Sequence, residues 1–525
     1  MRTPISKLNG REFDVAVIGA GVNGASAAQH LAAAGYSVIL VDQGDFGSGS
    51  SSRSSRLLHC GLRFLDRGES IWNIVKRPDR FLVACARAKR AMRARSQMVR
   101  TAPERLEAFT FFVPLYRGDP YSGWQVDAAF RILQSLGINE TPLDYKRLVV
   151  EEARAHPLLG LLRDYDRLRS VFSFREYRFE WPERIAIDTV LDAERMGAVV
   201  RNYSKVVALE RTPDGRWELT LRDATEGTAQ ATVHASLVLN TTGIWIDQVN
   251  KLARDNVSRK ILGTKGVHIM VKLPPECSSY GVTTFHRQKF PFYCIPQQGL
   301  HYFGPTETPF EGDIDDIHPT DDEIDWLVAE ADYLLPGANI KRSDVLFAWA
   351  GVRPLTHSPS RREGKQHLIP EIHDLASDGL PGVLALTGGA LMIHRLTGAD
   401  MCKAVQARIG PSRTPQPLSY AARAFPDNQN SPRLLDHNPS IKLSDLHHAA
   451  EQEHPVTLVD LLFRRTSAGW TETMGGEAAG KAAETVAGTM GWDAERVDQE
   501  VANYQAFLER VHRIDDSAGG RRGWT

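Results

Sequence analysis

No stretch of this 525-residue chain reaches the roughly 18 consecutive apolar residues that a membrane-spanning helix needs. The longest apolar-looking run, 382–393, is interrupted by Thr387, Gly388 and Gly389. Cysteine is scarce: the five residues Cys60, Cys85, Cys277, Cys294 and Cys402 are an odd number and form no C-x-x-C pair. That scatter argues against a disulfide framework and against a structural zinc site. A dominant charge sign is also missing, since 63 Lys and Arg face 64 Asp and Glu for a net charge of −1. Nothing therefore pulls the whole chain toward nucleic acid. The opening MRTPISKLNGREF has no apolar core of the secretory type. Together these absences predict a cytoplasmic protein. Ordinary contents of hydrophobic (42%) and charged (24%) residues exclude wholesale disorder, a collagen-like rod and a coiled coil. No internal repeat is present, and at about 150 residues per domain the length predicts two to four domains.

What the sequence does contain is concentrated at its start. Residues Asp14 to Gly19 (DVAVIG) read as a buried strand, an Ala-rich helix runs to about Ala34, and Ser37 to Asp42 (SVILVD) reads as a second strand. Strand, Gly-rich turn, helix and strand within about 30 residues make a βαβ unit. Gly19, Gly21 and Gly24 form G-x-G-x-x-G at its turn. The first glycine permits the tight turn, the second admits a pyrophosphate against the backbone, and the third lets helix and strand pack closely. Asp42 closes the second strand, where a carboxylate accepts hydrogen bonds from ribose hydroxyls.

NAD and FAD share this fingerprint, and two further features favour FAD. The segment 50–56 (SSSRSSR), with Ser51, Ser52, Ser54 and Ser55, supplies short donors suited to a long cofactor; its plainer alternative is a flexible loop. Downstream, TGGALMIHRLTG places Gly388, Gly389 and Leu391 at a second strand–Gly-Gly–helix junction. A helix N-terminus there can face the flavin and stabilise the negative charge of its reduced form; the alternative is an ordinary packing turn. Elsewhere, 70–110 reads as largely helical and the chain turns strand-rich from about 160. A mixed region spans about 260–375, 410–439 is Pro/Ser/Asn-rich, and the remainder is mostly helical.

The segments VIGAGVNGASAA, SSSRSSRLLHCGLRFL, VLNTTGIWID, TKGVHIMV, FGPTETPFEGD, WAGVRPL and TGGALMIHRL resemble the FAD-dependent glycerol-3-phosphate dehydrogenases, in the wider family of D-amino-acid oxidase. The resemblance covers most of the chain in order and extends to LVDLLFRRTSAGW and GWDAERVDQEVANYQAF, which are similar to that family's helical cap. It implies an α/β fold: a Rossmann-like FAD-binding domain of the glutathione-reductase/D-amino-acid-oxidase type, an antiparallel-sheet substrate domain and a C-terminal helical cap. The expected layout is an oxidoreductase region over 1–410, a linker over 411–440 and the cap over 441–525. Within the first region, flavin-binding segments near 11–75, 180–255 and 375–410 interleave with substrate segments near 76–180 and 256–375. The resemblance also implies oxidation of a secondary alcohol of a phosphorylated polyol, with electrons passed to a quinone at the inner face of the cell membrane, and it admits a homodimer. Cofactor contacts are implied at Val206, Thr242 and Gly243.

Alcohol oxidation needs a group to take the hydroxyl proton and cations to hold the phosphate. His59 and Arg63 follow the serines closely enough to reach the flavin ring, and Arg63 can fork two donors onto one oxyanion or else serve a salt bridge. His268 is the candidate proton acceptor, with a structural histidine as the alternative. Arg353 is placed to bind substrate oxygens. The chain departs from the family where Gly-Gly-Lys becomes Gly388, Gly389 and Ala390, where a glycine becomes Cys60, and where Arg361, Arg362, Lys365 and Gln366 crowd the place of a further arginine. The resemblance implies sn-glycerol 3-phosphate as substrate or, given the lost lysine and the added His394, a longer one such as the tetritol phosphate of D-erythritol 1-phosphate dehydrogenases. An amino-acid or amine oxidase and a non-catalytic FAD protein stay open as alternatives. Ten basic residues between Lys76 and Arg105, opposed by Asp79 and Glu104, read either as a basic amphipathic helix on anionic lipid or as a solvated face paired with acids elsewhere. Nucleic acid is not expected, and the acidic 310–325 stretch reads as a loop and helix start without a metal.

Overall fold

A computed structural model describes residues 2–62, 78–119, 122–136, 141–225, 227–285, 287, 291–357, 369–420, 425–426, 428–436 and 438–513. Its first sheet has the strand order Glu371–Asp374, Val383–Thr387, Gln230–Asn240, Arg11–Ile18, Val38–Val41, Val199–Arg201. The last five of these run parallel, and the Ser204–Arg211 and Trp217–Asp223 strands extend Gln230–Asn240 as an antiparallel flap. Strands buried on both faces read as unbroken apolar runs, as VILV at 38–41 does with all four residues buried. The register pairs Ile18 with both Val41 and Asn240, and Asn240 with Ala385. The residues that follow these strands, Gly19, Asp42, Thr241 and Gly388, therefore gather along one edge of the sheet, where such sheets bind ligands.

The helix Val22–Ala33 packs against Pro182–Arg195 and His394–Gln406. Close approach is enforced by glycine: a Cβ on Gly398 would lie 2.3 Å from Ser26 Oγ. The second sheet has ten strands, mainly antiparallel, with Ile261–Val271 between the 300–304 and 345–356 strands. The helix Pro78–Thr101 accounts for most of the described part of the stretch expected to be helical (70–110), but one strand of this sheet, Leu106–Tyr116, begins inside its last five residues. C-terminal helices at Leu443–Gln452, Ala479–Met490 and Ala494–His512 enclose a π-helical turn, Asp460–Arg465. The described residues of the 410–439 stretch are mostly without regular structure but contribute the short strand Arg433–Leu435 and the start of Asn438–Lys442.

Candidate flavin and substrate site

One continuous cavity of about 640 Å³ opens along the gathered strand ends. Gly19, Gly21, Asp42, Ser51, Ser54, Ser55, Val206, Thr242, Gly243, Gly388, Gly389 and Leu391 line it, together with His59, His268 and Arg353. Gly24 and Ser52 stand behind the wall. A Cβ on Gly24 would meet Gly19 O at 1.9 Å, so only glycine allows this helix to start so close to the turn. Ser52 Oγ donates to Gly47 O at 2.6 Å and braces the serine loop. Arg63, Arg361, Arg362, Lys365 and Gln366 lie outside the described residues.

The cofactor half is built from backbone. Gly19 holds φ +97° directly against Thr241, and the Ala20 and Gly44 N–H groups donate to the Asp42 carboxylate at 2.7 and 3.0 Å. Burial pushes the Asp42 carboxyl up to about 6, while those N–H groups pull the other way. Ser51 Oγ accepts the Val22 N–H at 3.0 Å and lies 3.2 Å from where a Gly21 side chain would begin. Asn23, inside the fingerprint, donates to Gly389 O at 3.0 Å and so joins the two Gly-rich junctions. Two glycine turns packed too tightly for a Cβ, a carboxylate at a strand end and a serine loop, all along one cavity, fit a dinucleotide as long as FAD.

The substrate half rests on the second sheet. Antiparallel pairing puts His268 opposite Trp349 and Gly266 opposite Gly351, so alternation sends Gly266, His268, Trp349, Gly351 and Arg353 to one face. His268 stacks on Trp349, ring centroids 4.8 Å apart and 10° from parallel, with Nε2 3.1 Å from Ser55 Oγ. Its Nδ1 is buried without a hydrogen-bond partner. Burial holds this imidazole at about 3, and the Arg353 and Arg56 charges push the same way, so it is neutral at ordinary pH. The Arg353 guanidinium lies flat over Gly266, whose Cβ would meet it at 2.6 Å. Ser50 Oγ donates to Val352 O at 2.7 Å and Tyr302 OH to Ser55 O at 2.8 Å, which ties the serine loop to this sheet. His59 follows the short strand Leu57–Leu58 and faces Tyr293, ring centroids 6.1 Å apart.

Ala390 lines the cavity as expected, but His394 does not. It is buried in the helix start, where its Nδ1–H donates to Leu391 O at 2.8 Å, so it adds no polar group to the pocket. Cys60 is also buried, its N–H donating to Glu176 at 3.0 Å. Tyr293, Glu307 and Asn23 line the cavity without having been singled out from sequence. Asn23 was within reach as part of the fingerprint; Tyr293 and Glu307 carry no spacing signal.

A doubly wound sheet with a glycine fingerprint and a second sheet roofing one long cavity defines a dinucleotide-dependent oxidoreductase. More particularly, residues 14–398 match the FAD dependent oxidoreductase (DAO) family model; the chain belongs to that family, and its cofactor is FAD. It is 28% identical to a glycerol-3-phosphate dehydrogenase of Synechocystis over 95% of this chain and 96% of that one. Among solved structures, glycerol-3-phosphate dehydrogenase from Bacillus halodurans complexed with FAD superposes with a TM-score of 0.72 at 21% identity, over 98% and 97% of the two chains. Glycine oxidase from Geobacillus kaustophilus superposes with a TM-score of 0.52 at 20% identity, over 79% of this chain and 100% of that one.

Proposed function

We propose that this protein oxidises a secondary alcohol of a phosphorylated polyol to the ketone. The observation that carries the reading is that His268, its Nδ1 without a hydrogen-bond partner, and Arg353 share the cavity wall that continues from the Ser54–Ser55 and Gly388–Gly389 turns. FAD, when bound, supplies the acceptor for the hydride. His268 takes the hydroxyl proton, Arg353 holds the developing alkoxide or a phosphate oxygen, and His59, which lines the same cavity, orients the substrate. Similarity to glycerol-3-phosphate dehydrogenases supports the phosphorylated substrate. Ala390 leaves room where that family carries a lysine, and the proposed substrate is correspondingly a tetritol phosphate such as D-erythritol 1-phosphate rather than glycerol 3-phosphate. The proposed acceptor is a quinone, reached from the cytoplasmic face of the membrane.

Anaerobic bleaching of the flavin absorbance tests this directly. The expected result is fast reduction by an erythritol phosphate and slow reduction by glycerol 3-phosphate. The reverse order would mean that Ala390 is compensated and that glycerol 3-phosphate is the substrate. Reduction by neither, with reduction by amino acids, would overturn the alcohol reading.

A further inference from the structure

We propose that Asp45 is a positioning residue for FAD and that the paired arginines Arg464 and Arg465 of the C-terminal helices hold it, so that cofactor and C-terminal helices stabilise each other. The segment 42–47 carries the chain from the Asp42 carboxylate toward the serine loop. Asp42, Gln43 and Gly44 line the cavity. Asp45, next in line, turns away from it and is fully buried, as is Arg465. Arg465 grips Asp45 with two guanidinium nitrogens at 2.6 and 2.8 Å, and Arg464 Nε adds a third bond at 2.5 Å. Asn202 Nδ2 donates both to Asp45 Oδ1 at 2.9 Å and to His454 O at 2.7 Å.

A second tie runs parallel to the first. The Tyr203 N–H donates to Gly44 O at 2.9 Å, while its hydroxyl donates to Asp460 at 2.9 Å. Asp460 also pairs with Arg464. On the cofactor side, the Gly47 N–H donates to Ala20 O at 3.0 Å, inside the glycine fingerprint. The turn that shapes the cavity is therefore clamped between the fingerprint and residues 453–466. A buried carboxylate is held in place by its guanidinium partners, because leaving either side uncompensated is costly. Anything that fixes one side of the clamp must favour the other to the same degree.

Hydrogen exchange on the full chain, compared with and without FAD, reads this coupling without any mutation. FAD is expected to slow amide exchange over 453–466 by about tenfold or more. Unchanged exchange there, with FAD bound, would overturn the proposal while leaving the cofactor assignment intact. Asp45→Asn is expected to raise the FAD dissociation constant at least about tenfold and to abolish that protection. Tyr203→Phe, which removes a single hydroxyl and keeps the fold, is expected to raise it about two- to fivefold. Glu472→Ala breaks the exposed Lys272–Glu472 bridge in a turn between the C-terminal helices and is expected to leave FAD affinity unchanged. Equal weakening by Glu472→Ala, or wild-type affinity in both Asp45→Asn and Tyr203→Phe, would also overturn the assignment.

Discussion

His268 owes its chemistry to where it is stacked. Stacked on Trp349 and almost wholly buried in the cavity wall, it stays uncharged far below the usual imidazole range, its pKa lowered to about 3 by that burial. The form able to accept a proton exists above that pKa and is lost only as pH falls through it. Flavin reduction should accordingly show no inflection from this group between about pH 5 and 9, measured by stopped-flow with the substrate in excess. His268→Gln, which keeps hydrogen-bonding atoms but cannot take the proton, should slow flavin reduction by about 10²–10⁴-fold with flavin content unchanged. The same burial has a cost in acid. As pH falls below the ordinary 6.5, the unfolded chain binds a proton that native His268 refuses, so stability drops with pH. His394 and His512, both lowered to about 3 by burial, add to that slope.

At the scale of elements, the paired strands Ile261–Val271 and Val345–Thr356 act as one frame for His268 and Arg353. Gly266 is its hinge point: Gly266→Ala would put a methyl group 2.6 Å from an Arg353 nitrogen and lift the guanidinium off the strand. The expected result is a KM about tenfold higher or more with unchanged flavin content, read from steady-state kinetics and the flavin spectrum. The first βαβ unit was legible almost to the residue, because Gly19, Gly35 and Asp42 punctuate it and the apolar runs between them leave one choice. The helix Pro182–Arg195 was passed over within a strand-rich stretch although Arg184, Asp188, Asp192 and Arg195 mark a polar stripe at helical spacing; that stripe faces partners inside the fold, as in the buried Arg184–Glu453 pair, and not solvent. At Leu106–Tyr116 the boundary was legible but missed: Pro103 opens a short 3-10 turn that ends the helical stretch four residues before the strand begins. In the site, residues carried on glycine and serine motifs could be read from spacing. Tyr293, Glu307 and Asp45 could not, because strand register and chain reversal bring them in, and no local pattern records either.

Across the whole molecule the charges are balanced, and what matters is where they are spent. Of the ten basic residues near the helix Pro78–Thr101, Arg95 is buried beside Glu176, Arg90 pairs with Asp400 and Arg105 with Asp188. Leu82, Ala86, Lys89, Arg93 and Arg100 form the outward stripe, with Leu82 68% and Val83 46% exposed. No helix among the described residues is long and apolar enough to cross a membrane. We propose that this stripe is the face that meets an anionic lipid surface. Sedimentation with anionic vesicles should show binding that weakens at high salt, and Leu82→Glu should reduce it several-fold without changing flavin reduction. Binding to neutral vesicles alone would argue against this face. The grip of Arg465 on Asp45 spans 420 residues of sequence. At about 5–20 residues per second, translation leaves the aspartate without those partners for roughly 20–80 s. The first βαβ unit thus emerges from the ribosome long before Arg464 and Arg465 can close on its nucleotide turn.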